Sequence, residues 1–213
     1  MSLKTKENIL NKIRNGLIQH TTQPFPSVDQ NAPLYKTNNE PLDILFAEEF
    51  TKIKGNFVYC ENKASFAKQI TDLINDRKWD NIFCWEFPLQ QLLQEQNVKN
   101  IKVGTNLDKA DVGITLVEAL VARTGSLILS THQAAGRTLS IYPPIHIAVA
   151  YTNQLVYDIR DGLQVVMEKY NNKIPSNITI TSGPSRTADI EKTLVLGAHG
   201  PKEVYVFLID QTS

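Results

Sequence analysis

The stretch GNFVYCENKASFAKQITDLINDRKWDNIFCW, Gly55 to Trp85, decides the fold. FVYC and IFCW are short apolar runs with little polar alternation, as strands covered on both faces require. Between them, SFAKQITDLIND repeats its apolar residues at three- and four-residue spacing, the period of an amphipathic helix. Strand, helix and strand in that order imply a right-handed crossover between parallel strands. The alternation extends in both directions. LDILFAEEFTKI precedes the stretch as helix, and PLQQLLQEQ follows it as a helix with Pro88 near its first turn, leading to the short strand IKVG. The expected architecture is α/β, a three-layer Rossmann-like domain over residues 41–213.

After Asp111 strands dominate. GITLVEALVARTGSLILST places an apolar segment on either side of a Thr124-Gly125-Ser126 turn, and PPIHIAVAY is a strand entered through Pro143 and Pro144. DGLQVVMEKYNN is helix capped by Asp158 or Asp161, and it leads to the strands NITITSG and EVYVFLID. At the other end of the chain, Ile9, Leu10, Ile13, Leu17 and Ile18 repeat with helical spacing, which predicts a helix from about Leu3 to His20 with Ser2 as its cap. The following TTQPFPSVDQNAPLYKTNNE holds Pro24, Pro26 and Pro33 and shows no period. Residues 1–40 therefore read as an N-terminal amphipathic helix and a Pro-rich connector. The apolar stripe of that arm favours a homo-oligomer or a docked partner.

Charge excludes some functions. Twenty-two basic residues balance twenty-two acidic ones, so no nucleic-acid footprint is expected. The first twenty residues are charged where a signal peptide needs an apolar run. No later stretch approaches the roughly 18 apolar residues of a membrane span, so the protein is expected to be cytoplasmic, without membrane insertion. Cys60 and Cys84 each end an apolar run and read as buried thiols on neighbouring strands. Two cysteines cannot ligate a four-cysteine iron-sulfur cluster. His20, His132, His146 and His199 lack ligand spacing, so no metal is expected. The chain carries no GxGxxG, Walker A or GxSxG pattern, and no cofactor of its own is expected.

Three constellations could carry chemistry. In SGPSRTADIEKTLVLGAHGP, Ser182 to Pro201, the Gly183-Pro184 turn ends a strand and SRTADIEK has the composition of a helix start. Ser185 or Thr187 would cap it, with Asp189 and Glu191 in the first turn. Placed at the carboxyl edge of a parallel sheet, free amides, Ser185, Thr187 and Arg186 would hold a small carboxylate or phosphate. The alternative is a structural corner in which Arg186 pairs with Asp189 or Glu191. In HQAAGRTLSIYPPIH, His132 to His146, Arg137 sits in a loop between strands and is either solvated or a second anion-binding residue converging with Arg186. Glu118, inside GITLVEALVA, is turned to solvent, paired with Arg123, or buried with a raised pKa. Glu118 and Asp189 are the candidates for handling a proton.

ALVARTGSLILS, GRTLSIYPPIHIAVA and above all TSGPSRTADIEKTLVLGAHGP resemble the lactate-utilisation protein C family, whose domain is called the LUD domain. The resemblance runs from about Asp43 to Asp210 and is densest after Asp111. It implies an α/β fold like that of ribose-phosphate isomerase, glucosamine-phosphate deaminase and the CoA-transferases, with 5-formyltetrahydrofolate cyclo-ligase among the fold's relatives. It also implies a non-redox component acting beside iron-sulfur partner proteins, the set together oxidising L-lactate to pyruvate. The positions matching the family signature begin with Glu118, Thr124 and Gly125, continue through Gly136, Arg137, Pro144 and His146, and reach the GPSRT run of Gly183, Pro184, Ser185, Arg186 and Thr187. Asp189, Glu191, Gly197, His199 and Gly200 complete them. None of these is assigned a catalytic role by the resemblance. Class I CoA-transferases place their glutamate in a Ser-Glu-Asn-Gly type motif, whereas Glu118 precedes Ala-Leu-Val-Ala. The cyclo-ligase nucleotide loop is not recognisable either. The alternative function is a small-molecule enzyme of that fold acting on a phosphorylated or carboxylated substrate.

Overall fold

The computed structural model describes residues 3–18, 40–187, 195–197 and 199–211. The chain divides into two units, Met1–Asn39 and Glu40–Ser213. In the first, helix α1 spans Leu3–Ile18. The expected cap at Ser2, and the connector up to Asn39, lie outside the described residues. No helix among the described residues is long and apolar enough to cross a membrane.

In the second unit the predicted alternation is present. Helix α2 (Leu42–Lys52) precedes β1 (Asn56–Cys60), and α3 (Lys63–Arg77) follows it. Asn62 caps α3 by accepting the Ser65 amide, and the helix closes on Lys78 in a left-handed conformation. Next come β2 (Ile82–Cys84), α4 (Phe87–Glu95), β3 (Ile101–Lys102) and β4 (Val112–Leu116). After them run β5 (Ala119–Val121), β6 (Ser126–Ser130), β7 (Ile145–Tyr151) and β8 (Leu155–Val156). Helix α5 (Ile159–Lys169) is capped by Asp158, and the Asp161 carboxylate completes the box by accepting the Asp158 amide. The chain then forms β9 (Ile178–Thr181), β10 (Arg186–Thr187), β11 (Val195–Leu196) and β12 (Glu203–Ile209).

Six strands form one sheet in the order β1-β12-β7-β4-β2-β3, and every pairing in it is parallel. Strand periodicity assigns its two faces. Ile114, Ile147, Val149 and Phe207 meet Phe66, Ile70 and Ile74 of α3 and Leu89 and Leu93 of α4 on one side. Ala148, Ala150, Val204, Val206 and Leu208 meet Leu45, Phe46 and Phe50 of α2 on the other. This is the expected three-layer arrangement, and it explains why the strands read as continuous apolar runs. Cys60 and Cys84 are buried as expected, but β12, β7 and β4 separate their strands. Later strands fill the centre of the sheet, so the consecutive strands β1 and β2 are not neighbours in space.

The second half departs from the sequence reading in two places. The apolar run before the Thr124-Gly125-Ser126 turn breaks at Val117-Glu118. Its first part is β4 of the parallel sheet. Its second part is β5 of a four-stranded sheet ordered β8-β5-β6-β9. In that sheet Leu120, Leu127 and Leu129 face α2 and the parallel sheet, while Ala119, Val121 and Ile128 face Val166 of α5. Gly125 turns the hairpin at φ +57, and a Cβ there would lie 2.5 Å from the Phe50 amide nitrogen. That close approach requires glycine.

The second departure is the expected helix start at SRTADIEK. NITITSG is a strand, but β9 pairs antiparallel with β6 and does not belong to the parallel sheet. Arg186–Thr187 form β10, paired antiparallel with Val195–Leu196, and are not a first helical turn. Residues 188–194, with Asp189 and Glu191, lie outside the described residues. Two hydrogen bonds account for the difference: the Ser185 amide donates to the Pro201 carbonyl at 2.9 Å, and the Gly197 amide donates to the Ser185 carbonyl at 3.0 Å. The backbone groups a helix cap would use are thereby committed to the returning chain.

A candidate functional site at the carboxyl edge of the parallel sheet

Strands β2 and β4 are neighbours in the parallel sheet, yet the chain leaves β2 toward β3 at one edge and leaves β4 toward β7 on the other side. Such a reversal is where open α/β sheets form a ligand crevice. A cleft of about 580 Å³ lies there. The strand ends supply Glu86, Leu116, Val117, Tyr151 and Gln211; the loop after β6 supplies His132 and Gln133; and Gln154, Lys169 and Tyr170 complete the wall. A second hollow of about 640 Å³, beside Asn62 and Asp210, shares Tyr151 and Gln211 with it.

Glu86 holds the N-cap position of α4. Its carbonyl accepts the Leu89 and Gln90 amides, and its Oε2 accepts the Leu116 amide at 3.3 Å, joining the ends of β2 and β4. The residue is 5% exposed, and Oε1 is buried with no hydrogen-bond partner among the described residues. Burial pushes the carboxyl up to about 7; the backbone amides of Leu116 and Ala135 offset part of that, and the nearby charge of Glu118 adds to it. Near neutrality Glu86 therefore carries a proton much of the time.

Glu118 stands behind the cleft wall and is buried. Its Oε1 accepts from the Ser130 hydroxyl at 2.6 Å and the Tyr170 hydroxyl at 2.7 Å, and its Oε2 lies 2.7 Å from Lys169 Nζ. Burial alone would raise this carboxyl, but the bonds from Lys169, Ser130 and Tyr170 outweigh it and hold it below the ordinary carboxylate value. Of the expected alternatives, solvent and Arg123 are replaced, and the burial is present without the raised pKa, because the end of α5 delivers a lysine and a tyrosine to the site. Arg123 pairs with Asp158 at 2.7 Å. The His132 ring stacks on Tyr170 at 4.4 Å, and Lys169 Nζ lies 5.4 Å from the same ring. Gln154 donates to the Val117 carbonyl and accepts the Tyr151 amide, tying the ends of β4 and β7. The cleft thus presents a proton-bearing acid, a half-exposed ammonium and side-chain amides around a small volume, a donor set suited to an anion.

The other signature residues do not reach this cleft. Gly183 turns the chain at φ +72, where a Cβ would meet the Ile53 carbonyl oxygen at 2.7 Å. Arg186 then donates to that same carbonyl at the end of α2. Ser185, through Pro201, sits beside the first residues of β12, at the amino edge of the parallel sheet. Seven-residue strands put about 20 Å between that edge and the cleft. Gly200 lies against Ser185, Gly197 turns at φ +77 over Lys202, and His199 is exposed. The Pro144 carbonyl accepts the Lys202 amide at the same edge. Arg137 is exposed on a loop whose Ala135 and Leu139 pack against Phe83 of β2, while Arg186 lies beside the start of β1. Most of the width of the sheet separates them, so the two arginines do not converge. Thr124 joins a hydroxyl chain with Ser126 and Ser182. His146 is buried with Nε2 2.9 Å from the Thr115 hydroxyl, its Nδ1 lacks a partner among the described residues, and burial pushes it down to about 4, so it is neutral. Among the described residues no cluster of three His, Cys, Asp or Glu forms a metal site. Burial pushes both cysteine thiols up to about 12.

Sequence reasoning missed Glu86, Lys169, Tyr170 and the lining role of His132. The signal for Glu86 was present in CWEFP, a carboxylate between the end of a strand and a helix opened by proline.

Comparison with known proteins agrees with this architecture. A lactate utilization protein C from Anoxybacillus flavithermus is 28% identical over 196 residues, covering 82% of this chain and 83% of the relative. A lactate utilization protein C from Bacillus subtilis is 27% identical over 183 residues, covering 84% and 73%. The crystal structure of a DUF162 family protein from Deinococcus radiodurans superposes with a TM-score of 0.61 at 17% identity, over 82% of this chain and 99% of that one, a likeness of fold. The family model of the LUD domain matches residues 45–209, from the first turn of α2 to the last residue of β12. That span takes in both faces of the parallel sheet and every described strand, and the chain belongs to the LUD domain family.

Proposed function

We propose that this protein is a non-redox component of a lactate utilisation system, working beside iron-sulfur partner proteins and binding a small carboxylate in the cleft between the ends of β2 and β4. The names of its relatives support the system. The observation that carries the ligand is the convergence on one crevice of Glu86, with its unpartnered Oε1, and Lys169, held by Glu118. Its two cysteines are buried with their thiols protonated, which suits a division of labour in which partners carry the electrons. Calorimetric titration with L-lactate and pyruvate tests the ligand. His132 and Gln133 line the cleft and neither bonds Glu118 or Lys169 directly; His132→Ala and Gln133→Ala are each expected to weaken binding about tenfold, the worth of one hydrogen bond. Unchanged affinity in both variants refutes the cleft as the site. Deletion of the gene tests the system: growth on L-lactate is expected to fail and to return with the wild-type chain, and unaffected growth refutes the role.

A further inference from the structure

Glu86 is a buried carboxyl that the fold has half satisfied. Its backbone carbonyl is committed to the first turn of α4, Oε2 is fixed by the Leu116 amide, and Oε1, the buried second oxygen of this cleft-lining residue, has no hydrogen-bond partner among the described residues. A buried oxygen left in this way calls for an explanation. Behind it stands a second carboxylate, Glu118, whose charge is matched by Lys169. An ionised Glu86 would add an unmatched negative charge and repel any anion entering the cleft. A protonated Glu86 has the reverse property, because its O–H is a donor that requires an acceptor, and a ligand carboxylate supplies one in a short charge-assisted bond.

We propose that the cleft takes up its carboxylate together with one proton, which Glu86 holds between its own oxygen and the ligand. This rests on the reading that a small carboxylate binds there. The uptake is a proton equilibrium only: the ligand enters as an anion, Glu86 is neutral in the complex, and no covalent bond forms or breaks. The charged group that bears on the Glu86 proton is Glu118 from the β4–β5 link; the titratable groups that line the cleft with Glu86 are Lys169 at the end of α5 and Tyr170 after it, His132 from the loop after β6 and Tyr151 from β7, and Cys84 at the end of β2 has its Sγ 3.9 Å from the Glu86 carbonyl. Of these, Glu118 is held ionised and Lys169 is raised by it, so both keep their charge across the neutral range.

The test is calorimetric titration of the full chain with L-lactate, pyruvate and lactamide from pH 6 to pH 9, repeated in buffers of different ionisation enthalpy to count protons. For the two carboxylates, affinity is expected to fall roughly tenfold for each pH unit above about 7, with proton uptake rising toward one per ligand. Glu86→Gln, whose amide also donates, is expected to bind the carboxylates without that pH dependence and without proton uptake. Lactamide is expected to show no pH dependence. A wild-type affinity for L-lactate and pyruvate that is flat with pH, or a Glu86→Gln variant that keeps the wild-type slope, overturns the proposal while leaving the cleft as a carboxylate site. Binding of neither carboxylate at any pH overturns the carboxylate reading and this proposal with it. Proton counting on the wild-type chain keeps the test decisive even if the variant does not fold.

Discussion

Glu86→Gln should change how the stability of the empty protein depends on pH. The carboxyl is pushed from 4.5 up to about 7 in the folded chain. A raised folded value means that its proton stabilises the fold fully below 4.5 and that this stabilisation is lost as pH rises through 7. Each pH unit between the two values is worth about 1.4 kcal/mol, so the contribution falls by about 2 to 3 kcal/mol between pH 5 and pH 9. His146 works in the opposite sense. Burial pushes it from 6.5 down to about 4, so its contribution is complete above 6.5 and is lost as pH falls toward 4. The wild-type curve alone mixes the two, whereas the difference between wild type and variant isolates Glu86. Urea unfolding followed by Trp79 and Trp85 fluorescence at each pH gives that difference. From pH 5 to pH 9 it should shift by about 2 to 3 kcal/mol in favour of the glutamine, which accepts from the Leu116 amide but never ionises. A difference constant within about 0.5 kcal/mol would show that Glu86 does not hold its proton near neutrality and that the cleft has no carboxylic acid to donate to an anion.

Three further substitutions separate the architecture from the site. Gly183→Ala places a Cβ against the Ile53 carbonyl in a left-handed backbone and should cost about 2 kcal/mol in urea unfolding, with ligand affinity unchanged. Arg186→Ala removes an exposed bond to the same carbonyl and should cost about 1 kcal/mol; L-lactate affinity measured by calorimetry should stay at the wild-type value, contrary to the site its sequence context suggests. Lys169→Met leaves Glu118 ionised and buried with only two hydroxyl donors. Discounted for the half-exposed ammonium, the loss should be about 2 kcal/mol at pH 7. Because the Glu118 carboxyl is held below 4.5, the stability it gains from Lys169 is present above that value and is lost as pH falls. Unfolding at pH 4 should therefore show a smaller cost for this variant than at pH 7.

The parallel half of the fold was legible because β1, α3 and β2 each announce themselves by period, and the crossover rule orients them. The break at Val117-Glu118 was not, because β4 and β5 are both buried on two faces and an apolar run carries no mark of the point where it passes from one sheet to another. GPSRT misled for a related reason: Ser, Thr and acidic residues after Gly-Pro suit a helix cap and an edge hairpin alike. Contacts with Ile53 and Pro201, distant in sequence, decide between them. Glu118 drew attention as a carboxylate in an apolar run, but its partners Lys169 and Tyr170 come from a helix 51 and 52 residues away, which no local pattern reveals.

Where a carboxylate binds decides between the cleft and the Gly183–Arg186 turn. A ¹⁵N-labelled chain of 24.0 kDa is within reach of backbone NMR, and titration with L-lactate at pH 6 would report the position directly. The amides of Glu86, Leu116, Gln133, Lys169 and Tyr170 are predicted to shift together and to saturate with one affinity, while those of Ser185 and Arg186 stay in place. Shifts centred on Gly183–Arg186, with the ends of β2 and β4 unmoved, would contradict binding in the cleft.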